Sequence, residues 1–187
     1  MKTKTIKEKI EQGRKTLETK LKTTNVMALP RLSKVVISTG VGKVNKDKRR
    51  MELIADRLAK ITGQKVSSRG AKKSIASFKV REGDVVGMIT TLRGKRLQGF
   101  LEKLLNSAIP RIRDFRGFPE SSVDEMGNLT IAIREHTIFP ETADEDLKDV
   151  FGLAITFVTT AQNREEALAL FHLVGFPFKK DSAKINP

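Results

Sequence analysis

Short apolar segments predict several β-strands along this chain. In strands, apolar residues typically alternate with polar ones or form a short continuous run. Such segments lie at 34–41, 85–92, 129–134 and 153–159. Shorter strands are predicted at 65–68 and 78–81. Glu82-Gly83-Asp84 suits a tight turn, because glycine and acidic residues tolerate the backbone conformation that a turn requires. We therefore expect 78–81 and 85–92 to pair as a hairpin.

Three other segments carry apolar residues at helical spacing, which predicts amphipathic helices. The apolar positions are Met51, Ile54, Leu58 and Ile61; Leu97, Phe100, Leu101, Leu104, Leu105 and Ala108; and Ala167, Leu168, Leu170, Phe171 and Val174. Gly63 is a plausible C-terminal cap for the first helix, and Pro110 ends the second. For the third helix, Asn163 with Glu166 resembles a capping pair, and Gly175 is a stop signal.

The remaining segments show weaker periodicity. Residues 1–25 have a thin apolar stripe among eight Lys and Arg, which predicts a basic arm or helix that gains stability from a partner; its apolar residues are Ile6, Ile10, Leu17 and Leu21. We expect an exposed loop at 69–77 and irregular structure, with at most one short strand, at 109–127.

This order of elements predicts an α+β fold in which helices pack on one face of a mostly antiparallel sheet. We expect a single domain at 25–180, preceded by the basic arm at 1–24 and followed by a tail at 181–187.

Charge then points to a class of partner. The chain has 187 residues and 39% hydrophobic residues, enough to supply a core. Its 36 Lys and Arg exceed its 22 Asp and Glu by 14, and the sequence pI is about 10.1. General solubility, an acidic protein partner and an anionic membrane would each explain this excess, but the cations are spread through loops and helices rather than along one amphipathic segment. Nucleic acid is therefore the favoured partner.

Composition also excludes several classes of protein. With no cysteine, the chain has no disulfide, thiolate nucleophile or Cys-ligated zinc. No apolar run approaches 18 residues, so we expect no membrane partner. The first 22 residues lack a continuous apolar stretch and contain Glu8, Glu11 and Glu18, which argues against a transit peptide and predicts a cytoplasmic location.

Two glycine-containing stretches fail as cofactor sites, so no cofactor is expected. Gly40-Val41-Gly42-Lys43-Val44-Asn45 lies between a strand and a helix, but Asn45 replaces the third glycine of a dinucleotide fingerprint. Gly63 and Gly70 are wrongly spaced for a phosphate-binding Walker loop.

Candidate catalytic and metal-binding residues are also weak. His136 and His172 are far apart in sequence and lie in no metal-binding motif, so packed or partly exposed histidines are the favoured interpretation. The acidic group lacks the glycine of a calcium-binding loop and is interpreted as a solvated loop; it comprises Glu141, Asp144, Glu145, Asp146 and Asp149.

Three basic clusters are candidate RNA contacts. They are Arg69, Lys72, Lys73, Lys79 and Arg81 around a Gly- and Ser-containing loop; Arg93-Gly94-Lys95-Arg96 between a strand and a helix; and the arginine-rich stretch PRIRDFRGF at 110–118. Each is weak alone, since a solvated loop or an Arg–Asp114 pair would explain it equally well. Because the chain has no Tyr or Trp for stacking, folded or double-stranded RNA suits it better than single strands.

The same segments resemble the 5S rRNA-binding family of bacterial large-subunit ribosomal proteins, from Asn25 to Lys180. The motifs that carry the resemblance are NVMALPRLSKVVISTGVG, TGQK, AKKSIASFKVREGDVVG, TLRGKR, PRIRDFRGF, GNLTIAIREHTIFPE, VTTAQNREEALAL and GFPFKK. The resemblance implies a non-enzymatic component of the cytoplasmic ribosome, with a five-stranded antiparallel sheet that binds 5S rRNA in the central protuberance.

The resemblance also implies roles for particular residues. Ser38, Gln64 and Thr91, with Arg93, match the family's 5S rRNA-binding positions. The family usually has Asn where this chain has Ser38, so we expect one bond to RNA to be shortened, mediated by water or lost. The basic loop at 69–79 matches the segment that approaches peptidyl-site tRNA; its contact residues are Arg69, Lys72, Lys73, Ser74 and Lys79.

The arginine segment, defined as residues 110–118, lies in the part of the family that helps to bridge to a protein of the small-subunit head. Its candidate contacts are Arg111, Arg113 and Arg116. Large-subunit rRNA and neighbouring ribosomal proteins are the remaining partners that the resemblance implies.

Two rival functions predict different properties. A free RNA chaperone would bind many RNAs loosely. An enzyme built on His136, oriented by Glu135 or Glu141, would need a deep pocket around that histidine.

Overall fold

The computed structural model describes residues 6–21, 25–42, 47–142 and 150–179. Within these ranges, five antiparallel strands form one sheet in the order β2-β3-β1-β5-β4. The strands are β1 Leu32–Gly40, β2 Ser67–Gly70, β3 Val85–Leu92, β4 Leu129–Ile133 and β5 Leu153–Thr159. The α+β fold and its five-stranded antiparallel sheet are thus confirmed.

In the described residues, four α-helices accompany the sheet: α1 Ile6–Leu21, α2 Lys48–Thr62, α3 Gly94–Lys103 and α4 Arg164–Val174. As predicted, α2 ends at Gly63 and α4 at Gly175, and both glycines adopt the left-handed conformation that favours this residue. Within the described residues, no helix is long and apolar enough to cross a bilayer.

Alternation along the strands gives the sheet two unlike faces. Val35 and Ile37 of β1 are almost fully buried and join one core with residues of the helices, such as Leu58 and Leu101. The residues that alternate with them along β1, Lys34, Val36 and Ser38, are half-buried on the opposite side. We call that side the open face; it comprises Lys34, Val36, Ser38, Ile89, Thr91, Thr130, Ala132, Ala154, Thr156 and Val158.

The predicted strand at 78–81 is wrong. The strand that pairs with β3 on this side is β2, with Ser67 opposite Ile89. The loop that joins β2 to β3 begins after Ala71, whose N–H donates to the Asp84 carbonyl at 2.8 Å. Phe78 ends a short 3₁₀ turn instead. All four residues of β2 are exposed and polar or glycine, so the apolar pattern of 78–81 gave the stronger strand signal.

Two helix ends also differ from the prediction. Asn163 makes no side-chain capping bond; Glu166 instead accepts a bond from the Gln162 N–H at 3.0 Å. The predicted second helix changes after Lys103 into a π-turn and then a 3₁₀ turn at Ile109–Arg111. Pro110 lies inside that last turn, where its missing N–H and the clash of its ring with the preceding turn interrupt a regular α-helix.

The sequence predicted either an arm or a helix in the N-terminal segment, and residues Ile6–Leu21 form a helix. Helix α1 packs mainly against α4 of the same chain, and Leu17 is 2% exposed. A Cβ at Gly13 would overlap the Leu173 side chain, so glycine permits this close approach. The side chains of Ile6 and Ile10, and residues 1–5, 22–24 and 181–187, lie outside the described part, and the division into arm, domain and tail stays a prediction.

Candidate nucleic-acid interface

The open face brings Ser38 and Thr91 close together. On β1, Val36 lies opposite Thr91 and Ser38 lies opposite Ile89. Ser38 and Thr91 are therefore diagonal neighbours on one face, at a typical Cβ separation of roughly 7–8 Å. Two hydroxyl groups that are distant in sequence thus lie side by side on a hydrogen-bonded sheet.

Gln64 reaches the same region from the end of α2. Its Nε2 donates to the Thr91 carbonyl at 3.3 Å, and its Oε1 accepts a bond from Arg96 at 3.0 Å. The Thr62 hydroxyl also donates to the Gln64 carbonyl at 3.1 Å. The structure therefore joins two of the sequence-predicted residues and adds Arg96, which the sequence placed only in a general basic cluster.

Arg93 lies at the boundary between β3 and α3. It occupies the N-cap position of α3, and the following Gly94 has a φ of 57°, which allows the chain to turn sharply there. Arg93, Lys95 and Arg96 are all exposed. This turn places three exposed cations directly after β3, within five positions of Thr91.

The open face continues past the residues that the sequence singled out. Thr156 lies opposite both Val36 and Thr130, and the hydroxyls of Thr130 and Thr156 are 3.1 Å apart. Sequence reasoning missed these two threonines. The alternation of apolar and polar residues in LTIAI and LAITFVT predicts that these threonines face away from the core. It does not predict that they lie in the same cross-strand row as Val36 and Thr91.

The basic loop (69–79) has a more ordered backbone than its composition predicted. Ile75 and Val80 exchange two backbone hydrogen bonds, at 3.0 and 3.3 Å, and the Ser74 hydroxyl accepts a bond from the Glu82 N–H at 2.9 Å. Lys79 has a φ of 52°, a left-handed conformation that is unusual for lysine. The loop is therefore a folded element that projects Lys72 and Lys73 into solvent.

Two details of this loop were not predicted. Arg69 belongs to β2, opposite Gly87, rather than to the loop itself. Phe78 and Ile75 are large apolar residues that are 74% and 46% exposed. Ile75 and Phe78, with Lys72 and Lys73, line a groove of about 1240 Å³ between the loop, α2 and the segment at 150–152.

The arginine segment (110–118) lies beside β4, at the opposite edge of the sheet from β2. Arg111, Arg113 and Arg116 are exposed, and Asp114 turns the chain with a φ of 53°. Together with the end of β4 the segment lines a groove of about 620 Å³. Arg134 and Lys179 add two cations to that groove which sequence reasoning did not select.

The histidine sites do not support catalysis. His136 is fully buried and stacks on Phe151, with ring centroids 4.2 Å apart and planes at 9°. Glu141 bonds to Lys103 at 2.7 Å, and Glu135 is exposed. His172 is exposed, 3.9 Å from a Glu120 carboxylate oxygen. His136 therefore has no exposed ring atom with which to reach a substrate, as an enzyme built on it would require.

The candidate cofactor site at 40–45 and the candidate calcium site at 141–149 lie largely outside the described residues. Gly40 ends β1, while Lys43 and Asn45 of the glycine stretch lie outside the described residues, as do Asp144, Glu145, Asp146 and Asp149 of the acidic group. Where residues are described, no group of three or more His, Asp or Glu side chains could hold a metal ion.

Comparison with known proteins identifies the family. Residues 25–81 match the family model described as "Ribosomal protein L5", and residues 85–178 match a second model, which describes the C-terminus of the same ribosomal family. These two matches cover most of the chain.

Named relatives agree with the family models. A "Large ribosomal subunit protein uL5" of Thermus thermophilus is 51% identical over 156 residues, which is 83% of this chain and 86% of that protein. Proteins with the same name from Halothermothrix orenii and Ureaplasma urealyticum are 47% and 45% identical, over 83% and 89% of this chain and 87% and 90% of their own lengths. Sequence, fold and relatives agree that the chain belongs to the ribosomal protein L5 family, as a structural, rRNA-binding component of the large subunit of the cytoplasmic ribosome and not an enzyme.

Proposed function

We propose that the chain binds 5S rRNA in the central protuberance through the Thr91 end of the open face. The observation that carries this proposal is the convergence of Ser38, Gln64, Thr91 and Arg93 from three separate segments around the β1–β3 strand pair. Cations supply attraction to any RNA, because phosphate contact is independent of sequence. Hydroxyl and amide groups held on a sheet add directional bonds, which distinguish one folded RNA from another.

The basic loop is the proposed contact with peptidyl-site tRNA. Arg69, Lys72, Lys73 and Lys79 are exposed at the β2–β3 edge of the sheet, and Ser74 helps to hold the loop backbone. Cations that touch only phosphates accept every tRNA that enters the site, because the backbone is the same in all of them. This suits a partner that is exchanged in every cycle of elongation.

The arginine segment is the proposed bridge to a protein of the small-subunit head. The segment carries Arg111, Arg113 and Arg116 at the β4 edge of the sheet, whereas the basic loop lies at the opposite edge, beside β2. Exposed arginines beside a groove that is lined by both apolar and charged side chains suit a protein surface that carries carboxylates. Large-subunit rRNA and neighbouring ribosomal proteins would occupy the remaining surfaces.

Competition between RNAs tests the 5S rRNA assignment. Labelled 5S rRNA bound to the full chain is challenged with unlabelled 5S rRNA or with an unrelated structured RNA of similar length. We expect 5S rRNA to compete at least about 100-fold better at physiological salt, because specific binding usually exceeds non-specific binding by a wide margin. Equal competition would overturn the proposal and favour the RNA-chaperone alternative, which predicts loose binding to many RNAs.

A further inference from the structure

The groove between the basic loop and α2 is lined mainly by apolar side chains. Ile54 comes from α2, Val86 from β3 and Phe151 from the segment that precedes β5, while Ile75 and Phe78 come from the loop itself. The groove volume of about 1240 Å³ exceeds the roughly 300–1000 Å³ of a site for one small organic molecule. It therefore has room for several side chains of a polypeptide.

Two apolar residues of the loop extend this apolar surface into solvent. All ten phenylalanines of the chain lie in the described residues, and Phe78 is the one that is exposed; Ile75 beside it is also exposed. The backbone that carries both is ordered, because Ile75 and Val80 exchange two hydrogen bonds. Single exposed apolar residues are ordinary, whereas two that adjoin an apolar groove indicate a surface that another molecule covers.

The charges around the groove have one sign. Lys72 and Lys73 are exposed, and Arg50 of α2 also lines the groove. Among the described lining residues, none is acidic. Electrostatic complementarity therefore favours an occupant that carries carboxylates or phosphates.

The apolar surface decides between these two kinds of occupant. The backbone of an RNA would pair with Lys72 and Lys73 but offers no aliphatic group for the groove. An amphipathic segment of a protein meets both demands, because its large apolar side chains enter the groove while its acidic residues reach the lysines. Since Ile75 and Phe78 are held on an ordered turn, little freedom is lost there when the segment binds.

We propose that this groove is the docking site for an acidic amphipathic segment of a protein partner. The inference goes beyond the proposed function and does not depend on the binding of 5S rRNA. It uses the two lysines that the proposed function assigns to peptidyl-site tRNA, so the partner and that tRNA exclude each other at the loop.

Fluorescence anisotropy with a synthetic peptide tests the docking on the full chain. The probe is a labelled peptide with leucine at positions i, i+3, i+4 and i+7 and glutamate at most other positions. A scrambled peptide of the same composition keeps the charge and loses the apolar face. We expect the amphipathic peptide to bind at least about tenfold more tightly, because only its leucines enter the groove together. Equal affinities would mean that charge alone attracts both peptides, and would overturn the inference.

Substitutions on the two sides of the groove locate the bound peptide. Phe78→Ala should weaken binding at least about fivefold, because apolar contact is lost. Met126→Ala removes another exposed apolar side chain, in the turn at 124–127 outside the groove, and should leave the affinity unchanged. Lys72→Ala combined with Lys73→Ala should weaken binding about threefold to tenfold and reduce its dependence on salt. Circular dichroism and the urea midpoint check that each variant folds.

The other occupants of the groove give different results. If Phe78→Ala leaves peptide affinity unchanged but lowers retention of peptidyl-site tRNA on reconstituted ribosomes, the exposed ring contacts RNA and the inference is wrong. If sedimentation shows that the unmodified chain self-associates and Phe78→Ala abolishes this, a second copy occupies the groove and the inference is also wrong. Peptide binding by a monomeric chain that Phe78→Ala weakens and Met126→Ala does not supports the docking site.

Discussion

The open face and the basic loop both present hydroxyls and cations, but they hold them in different ways. On the open face, Ser38 and Thr91 are half-buried on strands that pair on both sides, and Gln64 is bonded at both ends of its amide. In the loop, Lys72 and Lys73 are exposed beyond the last paired residues of β2 and β3. Rigid placement suits recognition of one permanent RNA, whereas exposed cations on a separate projection suit a partner that is exchanged.

The largest expected difference between these regions is in the free energy of unfolding, and substitution of one phenylalanine in each region tests it. Phe157 of β5 is fully buried and packs edge-to-face on Phe176 with centroids 5.1 Å apart, whereas Phe78 is 74% exposed. Phe157→Ala should lower the free energy of unfolding by about 3–5 kcal/mol, because it leaves a cavity under the sheet. Phe78→Ala should change it by less than about 0.5 kcal/mol. Urea denaturation measures both; similar losses would mean that the loop is packed as firmly as the sheet.

Thr91→Val tests the open face alone. The substitution keeps the shape and removes one hydroxyl, so a bonded RNA group loses its partner at a cost of about 1–3 kcal/mol of binding free energy. Stability should barely change. Thr16→Val, on the exposed side of α1, is the matched control and should leave 5S rRNA affinity unaltered. An unchanged affinity for Thr91→Val would remove Thr91 from the interface.

Replacing Lys72 and Lys73 together by Ala tests the loop alone. Affinity for 5S rRNA should stay within about twofold, whereas retention of peptidyl-site tRNA on reconstituted ribosomes should fall roughly threefold to tenfold, more at low salt than at high. Lys20→Ala with Lys60→Ala removes two exposed lysines of the helix layer and controls for net charge. Loss of 5S rRNA with normal tRNA retention would reverse the roles of the two regions.

The smallest expected effect concerns the loop backbone. Lys79 has a φ of 52°, which a residue with a Cβ adopts at a cost and glycine adopts freely. Lys79→Gly should therefore raise the free energy of unfolding by up to about 1 kcal/mol, whereas Lys73→Gly, at a residue with negative φ, should not raise it. Thermal or urea unfolding compares the two; a clear loss of stability in Lys79→Gly would mean that the lysine side chain supports the turn.

The fold was largely predictable because its strongest signals are local. These signals depend only on residues within a few positions of one another. They are the alternation in LTIAI and LAITFVT, the helical spacing of apolar residues, and the glycines at the helix ends, Gly63 and Gly175. The pairing of β2 with β3 was not predictable, because β2 consists of four exposed residues without an apolar pattern and its partner lies across a loop. Phe78 and Val80, with their high strand propensity, gave a false signal there.

The geometry of the candidate site was only partly predictable from the sequence. Family resemblance supplied Ser38, Gln64, Thr91 and Arg93, which the fold gathers around the β1–β3 strand pair. The bond between Gln64 and Arg96 joins residues 32 positions apart, and no local pattern reports it. The same limit applies to the Thr130 and Thr156 hydroxyls, which meet only because β4 and β5 pair in one register.

Single cysteines provide the most direct test that the open face, and not the loop, seats 5S rRNA. The chain has no cysteine, so Ser38→Cys and Ser77→Cys each introduce one unique thiol, on the open face and in the exposed 3₁₀ turn of the loop. The measurement is the rate of alkylation of each thiol with and without saturating 5S rRNA. We expect the RNA to slow alkylation at position 38 at least about tenfold, relative to the free protein, and to change the rate at position 77 by less than about twofold, because a thiolate reacts only where the reagent reaches it. Protection at position 77 with unchanged reactivity at position 38 would contradict the account.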